Sequence, residues 1–242
     1  MKDPAANNTR LLLISSSHAG EDGYIEHCGS AIKDLFDEKG KGHVLFIPYA
    51  NVDSQTQFSQ LAIDTFAKLG IKCRSISEFE NPLEAVRADD VQGIFIGGGN
   101  TFNLLKLLYD HKLIGGIRER VQQGLPYMGS SAGTVVACPG IYTTNDMPIV
   151  EPKSLTALGL VPFQINPHFV PGSLLPGHNG ETREERIRQF HRVSQVPVVG
   201  VTEGSWIEVR GTSYVVQGGD EAILFRPSQD ATKISSGQSF VI

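Results

Sequence analysis

The sequence predicts an α/β fold with a doubly wound, mostly parallel sheet, helices on both faces and an antiparallel edge near the C-terminus. Three observations predict it: continuous apolar runs of strand length, amphipathic segments of helix length between them, and short runs separated by turns in the last third. Continuous apolar runs indicate strands buried on both faces, and alternation with helices indicates parallel pairing. We expect a single domain over residues 1–242.

Each predicted element follows from its own pattern. The buried parallel strands are predicted at residues 11–14, 44–48, 93–96 and 197–201. Apolar residues recur at helical spacing over residues 25–39 and 58–69. Short apolar runs at 207–209, 214–216 and 222–225 alternate with glycine-containing turns. They predict an antiparallel meander that completes one edge of the same sheet.

Composition and charge argue against several classes of function. The chain has 242 residues, 40% of them hydrophobic and 19% charged, and a net charge of −5. No basic stripe favours nucleic acid, and no run of 18 apolar residues favours a membrane span. The N-terminal segment lacks the apolar core of a secretory signal. We expect a cytoplasmic protein that binds neither nucleic acid nor membrane.

The cysteines and histidines give no metal-binding spacing. Cys28, Cys73 and Cys138 are scattered and form no CxxC pair. This pattern is typical of reduced thiols in a core rather than of disulfides or a zinc site. We predict neither a metal nor a cofactor.

A glycine-rich loop, Gly97 to Thr101, follows one predicted strand and precedes a predicted helix. Ligands of open α/β sheets bind beyond the carboxyl ends of the strands, so this loop is a candidate site. Its glycines could expose backbone N–H groups to an anion or oxyanion. Equally, the loop could be a tight turn with Asn100 or Thr101 as the helix cap.

A second loop contains the pattern Gly129-x-Ser131-x-Gly133. It fits a nucleophile elbow, in which a serine lies on a sharp turn between a strand and a helix. Small neighbours are needed there because the helix starts close to the strand. The N–H of Ala132 could then stabilise a developing oxyanion. Ser130 is the competing nucleophile, but it is not at the centre of the glycine frame.

A nucleophilic serine needs a base, and a base needs an orienting acid. His168 is the first candidate base because Asn166-Pro167 presents it on a rigid turn, and His178 is the second. Two acids stay open as the third member. Glu203 follows a predicted core strand, a position that the sheet geometry favours. Asp146 follows the elbow helix and could instead receive the free amino group of a substrate.

The chain resembles the peptidase E family of α-aspartyl dipeptidases and, more distantly, the cyanophycinases. Six blocks in the same order carry the resemblance: GGGNTF (97–102), GSSAG (129–133), TTNDMPIV (143–150), QINPHF (164–169), GHNGETRE (177–184) and EGSWI (203–207). The resemblance implies a serine peptidase for Asp-Xaa dipeptides, with Ser131 as nucleophile and His168 as base. It leaves the acid open between Asp146 and Glu203. It also implies a fold similar to class I glutamine amidotransferases.

Within this reading, Gly98, Gly99 and Ala132 form the oxyanion hole. Arg183 is the cation expected to bind the aspartate side chain, because a guanidinium binds a carboxylate bidentately. Alternatively, Arg183 is a surface arginine that pairs with acidic residues along its helix. His178 and Asn100 are expected to bind substrate as well, and a homodimer is allowed. One departure from the family is Ser130, where members often have Trp. The rival functions are a non-catalytic binding module and a peptidase for β-aspartyl or polymeric substrates.

Overall fold

The computed structural model describes residues 8–36, 42–172, 180–219 and 221–242. Within these residues the chain forms β-strands in two sheets, and helices pack against them. The strands are β1 (Arg10–Ile14), β2 (His43–Ile47), β3 (Cys73–Ser75), β4 (Val91–Ile96), β5 (Tyr127–Ser130), β6 (Gln164–Asn166), β7 (Val198–Val201), β8 (Ser205–Arg210), β9 (Ser213–Gly218), β10 (Glu221–Phe225), β11 (Thr232–Ser235) and β12 (Ser239–Phe240).

The helices are α1 (Gly29–Phe36), α2 (Gln55–Lys68), α3 (Pro82–Arg87), α4 (Thr101–Asp110), α5 (Leu113–Gln122), α6 (Ala132–Val136) and α7 (Arg183–Phe190). The predicted first helix begins later than expected, because a short 3₁₀ turn over Glu26–Cys28 precedes it. The second begins earlier, since the Ser54 side chain accepts a hydrogen bond from Gln57 N–H and caps it. None of the helices in the described ranges is long and apolar enough to cross a membrane.

The first sheet has eight strands in the order β12-β9-β8-β1-β5-β4-β2-β3. Five neighbouring strands pair in parallel in the order β1-β5-β4-β2-β3. The strands β8, β9 and β12 add an antiparallel edge beside β1. Successive residues of β1 belong to opposite faces: Leu11 and Leu13 pack in one hydrophobic cluster, and Leu12 and Ile14 in another. Helices α3 to α6 cover the first face, whereas α1 and α2 cover the second. The predicted fold class is therefore confirmed.

The second sheet corrects one expectation. Four strands form it in the order β11-β10-β7-β6. The predicted core strand at 197–201 pairs here with β6 and β10 rather than in the main sheet. The predicted meander is likewise divided, because β8 and β9 stay in the first sheet while β10 joins the second. An apolar run reveals burial on both faces but not which strand lies beside it.

The two sheets bring several strand ends together. Ile14 lies opposite Ser130 at the carboxyl ends of β1 and β5, and Ile96 lies opposite Gly129. The N–H of Ser15 donates to Ser205 O at 3.0 Å, and Ser15 Oγ donates to Val201 O at the end of β7. The loops that follow β1, β4, β5 and β7 therefore meet at one place.

Candidate active site

Ser131 lies on a strained turn between β5 and α6. Its backbone angles are φ 50° and ψ −107°, a conformation that residues other than glycine rarely adopt. The two glycines of the frame permit the turn. A Cβ at Gly129 would lie 2.5 Å from the Gly133 carbonyl carbon, and one at Gly133 would lie 2.0 Å from Ile96 O. The helix therefore starts against the strands only because both positions lack a side chain.

Ser131, His168 and Glu203 form a hydrogen-bonded line. Ser131 Oγ lies 2.8 Å from His168 Nε2, and His168 Nδ1 lies 2.6 Å from Glu203 Oε1. In the histidine tautomer that fits both contacts, Nδ1–H donates to the Glu203 carboxylate and Nε2 accepts from the Ser131 hydroxyl. The His168 and Glu203 side chains are 36% and 56% exposed, so the line runs along an open face of the site. A serine, a base and an orienting acid thus stand in the order that acyl transfer requires.

Ser15 holds the backbone of His168 in place. His168 N–H donates to Ser15 Oγ at 2.9 Å, and the same oxygen donates to Val201 O at 2.9 Å. Ser15 is fully buried, and His168 has a positive φ of 53° that this contact helps to maintain. Sequence reasoning did not single out Ser15. The available signal was the run Ser15-Ser16-Ser17, polar residues directly after a buried strand.

Ser130, the competing serine, is hydrogen-bonded to Ser17 rather than to the histidine. Its side chain is fully buried, and its Oγ lies 2.9 Å from Ser17 Oγ. Side chains alternate along a strand, so the last residue of β5 and the residue that begins the turn face different surroundings.

Asp146 has a different environment from Glu203. Its Oδ2 accepts hydrogen bonds from Thr101 N–H at 2.8 Å, from Thr101 Oγ1 at 2.5 Å and from Thr144 Oγ1 at 3.2 Å. A carboxylate at the N-terminus of α4 also interacts favourably with the helix dipole. Asp146 lines the same pocket as Ser131 and His168, although its hydrogen bonds hold it to α4 rather than to the imidazole.

A network of amide side chains connects the Asp146 loop to His168. Asn166 Nδ2 donates to Thr143 O and to Asn145 Oδ1, both at 2.8 Å. Asn145 Nδ2 in turn donates to Pro167 O at 2.8 Å. Asn145 and Pro167, which directly precede Asp146 and His168, are therefore hydrogen-bonded to each other. This hydrogen bond links the position of Asp146 to that of His168.

The glycine-rich loop after β4 lies against the elbow. A Cβ at Gly98 would approach Ser131 Cβ to 3.2 Å. Gly99 has φ 133°, and a Cβ there would lie 2.3 Å from Ala50 O. Among the described residues, the N–H groups of Gly98, Gly99 and Ala132 donate to no protein acceptor. They are thus available to an oxyanion.

Asn100 is used structurally. Its Oδ1 accepts hydrogen bonds from Phe102 N–H and Asn103 N–H, which caps α4, and its Nδ2 donates to Met147 O at 2.9 Å. Asn100 does not line the pocket that contains Ser131. The structure therefore gives Asn100 the capping role that the sequence left open, and its contact with substrate stays a prediction.

Arg183 is the first residue of α7, after the cap Thr182. It lines a smaller pocket of about 160 Å³ together with Arg186, Thr144 and Asn145. Burial lowers the pKa of Arg183 and nearby Arg186 lowers it further, while the charges of Asp146 and Glu203 raise it. Arg183 therefore lies beside Thr144 and Asn145, the residues directly before Asp146, but does not line the pocket that contains Ser131. His178, the other predicted substrate contact, lies outside the described residues.

The pocket at the elbow has a volume of about 760 Å³. Ser131, Asp146, His168 and Glu203 line it together with the loop after β1 and residues of α2. Among the described residues, no group of three or more His, Cys, Asp or Glu side chains is arranged to hold a metal ion.

The sequence matches the model of peptidase family S51 over residues 11–217. The chain belongs to this family. Peptidase E of Streptomyces coelicolor is 44% identical over 230 residues, which are 94% of this chain and 91% of that protein. A Drosophila melanogaster protein named "Probable alpha-aspartyl dipeptidase" is 43% identical over 222 residues, 91% of each chain. Membership of the peptidase E family and a serine-type hydrolase activity are thereby confirmed as predicted.

A solved structure supports the same architecture. The crystal structure of a peptidase from an acI-B1 Actinobacterium superposes with a TM-score of 0.72 over 98% of both chains, at 18% identity. At that identity the likeness concerns the fold alone. The likeness to class I glutamine amidotransferases stays a prediction.

Proposed function

We propose that this S51 peptidase hydrolyses α-aspartyl dipeptides, with Ser131 as nucleophile, His168 as general base and Glu203 as the acid that orients the histidine. The observation that carries the proposal is the continuous hydrogen-bonded line from Ser131 Oγ through His168 to Glu203 Oε1. The name α-aspartyl dipeptidase, borne by one relative, supports the substrate class.

The reaction is acyl transfer in two steps. His168 Nε2 takes the proton of the Ser131 hydroxyl as Oγ attacks the scissile carbonyl carbon, and the carbonyl oxygen becomes an oxyanion. The free N–H groups of Gly98, Gly99 and Ala132 can stabilise that oxyanion. His168 then gives its proton to the leaving amine, and the carbon–nitrogen bond breaks. Water, deprotonated by the same imidazole, releases aspartate from the serine ester.

Glu203 acts on the imidazole rather than on substrate. As the proton moves to Nε2, the ring becomes positively charged, and the carboxylate 2.6 Å from Nδ1 stabilises that charge. The same contact selects the tautomer that leaves Nε2 free to accept a proton. Of the two acids that the sequence left open, we therefore assign this role to Glu203.

The remaining charged groups fit the aspartyl residue of the substrate. A free N-terminus brings an ammonium group, and Asp146 offers a carboxylate in the same pocket as Ser131. The aspartate side chain needs a cation, and Arg183 lines a second pocket beside Thr144 and Asn145, directly before Asp146. Because a charge buried without a partner is costly, both substrate charges must be paired. We assign the ammonium to Asp146 and the side-chain carboxylate to Arg183.

A peptide panel with active-site labelling tests the proposal. Asp-Xaa dipeptides should be hydrolysed, whereas the matching Asn-Xaa, Glu-Xaa and β-Asp-Xaa dipeptides should be poor substrates. A fluorophosphonate probe should label Ser131 and not Ser131→Ala. If the enzyme hydrolysed β-aspartyl or polymeric substrates faster than Asp-Xaa dipeptides, those substrates would be the proposed class instead. Absence of both labelling and hydrolysis would favour a binding module.

Three further properties belong to the same proposal: one domain over residues 1–242, a cytoplasmic location without nucleic-acid partners, and a homodimer. Sedimentation of the purified chain at several concentrations tests the homodimer. Coincident loss of helical signal and of peptidase activity in urea tests the single domain, because one cooperative unit loses both together.

A further inference from the structure

The pocket at the elbow is lined by two unlike groups of side chains. One group is charged or catalytic and includes Asp146 and Glu203 beside Ser131. The other group is the apolar wall, formed by the rings of Tyr24 and Phe58 and the side chain of Leu61. A dipeptide whose scissile bond is at Ser131 has one charged residue to place in this pocket and one leaving residue.

The aromatic part of the apolar wall is held in place by ring contacts. Tyr24 is buried, and its ring meets the ring of Phe58 edge to face at 5.6 Å between centroids. Phe58 also packs edge to face on Phe46 at 5.4 Å. A Cβ at Gly97 would lie 2.6 Å from Phe58 Cε1, so the ring rests directly on the glycine-rich loop. These contacts keep an apolar surface in place without any ligand.

Leu61 extends this surface toward solvent. It lies one helical turn after Phe58 on α2, on the same face of the helix, and 43% of its surface is exposed. A single exposed leucine on a surface is ordinary. Leu61, however, lines a concave pocket beside two fixed rings and the reactive serine. An apolar side chain placed there would remove the exposed part of Leu61 from water.

We infer that the apolar wall of the pocket binds the side chain of the leaving residue, and that the enzyme favours Asp-Xaa dipeptides in which Xaa is a large aliphatic or aromatic residue. This inference rests on the proposed function, in which Asp146 and Arg183 bind the aspartyl residue. The leaving residue then extends from the scissile bond toward Tyr24, Phe58 and Leu61. Leu61 is the specificity-determining residue that is free to be changed, because its side chain is the least buried of the three.

The first test compares leaving residues on the unaltered enzyme. Asp-Leu and Asp-Asn are close in shape but differ in polarity, and Asp-Ala lacks most of the side chain. We expect kcat/KM for Asp-Leu to exceed that for Asp-Asn and for Asp-Ala by about tenfold or more, the scale of lost contacts in a hydrophobic pocket. Equal values for the three peptides would overturn the inference while leaving the proposed function standing. If none of the three is hydrolysed, the proposed function fails and the inference fails with it.

The second test changes the wall. Leu61→Asn should reduce the Asp-Leu to Asp-Ala ratio of kcat/KM by about fivefold, since the new amide cannot pack against an aliphatic side chain. Leu155→Asn is the matched control, because Leu155 is similarly exposed at 41% but does not line this pocket. Fluorophosphonate labelling of Ser131 at the rate of the unaltered enzyme shows that the catalytic residues are intact. A ratio that is unchanged in Leu61→Asn, or reduced equally in Leu155→Asn, would overturn the inference.

Discussion

His168 Nδ1 lies 2.6 Å from Glu203 Oε1, whereas the carboxylate of Asp146 is held by the backbone and hydroxyl of Thr101. The two candidate acids, Asp146 and Glu203, therefore have separate surroundings. One faces the imidazole, and the other is fixed at the N-terminus of α4. Their proposed roles can be separated by experiment because neither carboxylate shares a hydrogen-bond partner with the other.

Replacing Glu203 by glutamine should lower kcat by about 10²-fold or more and leave KM nearly unchanged, because the imidazole loses the charge that stabilises its protonated form. Asp146→Asn should instead raise KM and weaken discrimination against N-acetylated substrates. Steady-state kinetics with Asp-Leu and its N-acetyl derivative distinguish the two variants. Full activity in Glu203→Gln together with a lost kcat in Asp146→Asn would reverse the assignment.

Replacing Ser131 by alanine should reduce kcat by about 10⁶-fold, since the nucleophile and its base act as a unit. Ser130→Ala is the matched control, because it removes the neighbouring hydroxyl and only its contact with Ser17. That variant should keep its activity within several-fold and lose about 1 kcal/mol of unfolding free energy. If Ser130→Ala were inactive and Ser131→Ala active, Ser130 and not Ser131 would be the nucleophile.

Replacing Arg183 by methionine should collapse the preference for Asp-Leu over Asn-Leu. Arg183 is only partly buried, so we expect a loss of about 2 kcal/mol, the lower end of the range for a broken charge pair. Arg188→Met on the same helix is the control, since Arg188 is exposed and pairs with Glu184. Retained discrimination in Arg183→Met would make Arg183 a surface residue. The cation would then be sought at Arg186 or His178.

Replacing Ser15 by alanine should lower kcat by about tenfold, because the N–H of His168 loses its acceptor and the imidazole is held less firmly. The rate of fluorophosphonate labelling should fall in parallel, and KM should stay the same. Ser59→Ala is the control: Ser59 is also buried and hydrogen-bonded, to Ser75, but belongs to α2 and not to the site. Ser59→Ala should lose stability without losing kcat. Equal kinetic effects in both variants would mean that Ser15 has no positioning role.

Acid should destabilise the protein through His43. Its side chain is buried, stacks on Phe79, and burial lowers its pKa despite the nearby charge of Asp90. A histidine with a lowered pKa in the folded state stabilises the fold above its unfolded pKa of about 6.5, and that stability is lost as the pH falls below it. Urea unfolding at pH 7.5 and 5.5 should therefore show a lower free energy at pH 5.5.

The control for this effect is His43→Leu, which removes the titrating group from its buried site. The difference in unfolding free energy between the two pH values should shrink in that variant. It should not vanish, because burial also lowers the pKa of His27 and His191. An unchanged difference would show that His43 does not contribute to the acid sensitivity.

Local patterns predicted much of the site. The frame Gly129-x-Ser131-x-Gly133 is short, and its requirement for small residues follows from the contacts of one turn. The Asn166-Pro167 pair before His168 is equally local, since proline restricts its own backbone and that of its neighbour. Each of these could be read because the atoms that impose the requirement lie within a few residues of each other.

Other features depend on strands that are distant in the chain. The apolar run at 198–201 is visible in the sequence, but its membership of a second sheet depends on the partners β6 and β10. Ser15 lies 153 residues before His168, so no local pattern could connect its hydroxyl to the histidine N–H.

The sequence by itself determined the fold class and the family, and it predicted Ser131 and His168 as the reactive pair, because periodicity, glycine spacing and block order are properties of neighbouring residues. Only the tertiary structure decided that Glu203 rather than Asp146 faces the imidazole, and that apolar side chains of α2 and of the loop after β1 complete the pocket. Both decisions depend on which strand ends meet. Strand pairing is settled by the packing of the whole core, which no short segment encodes alone.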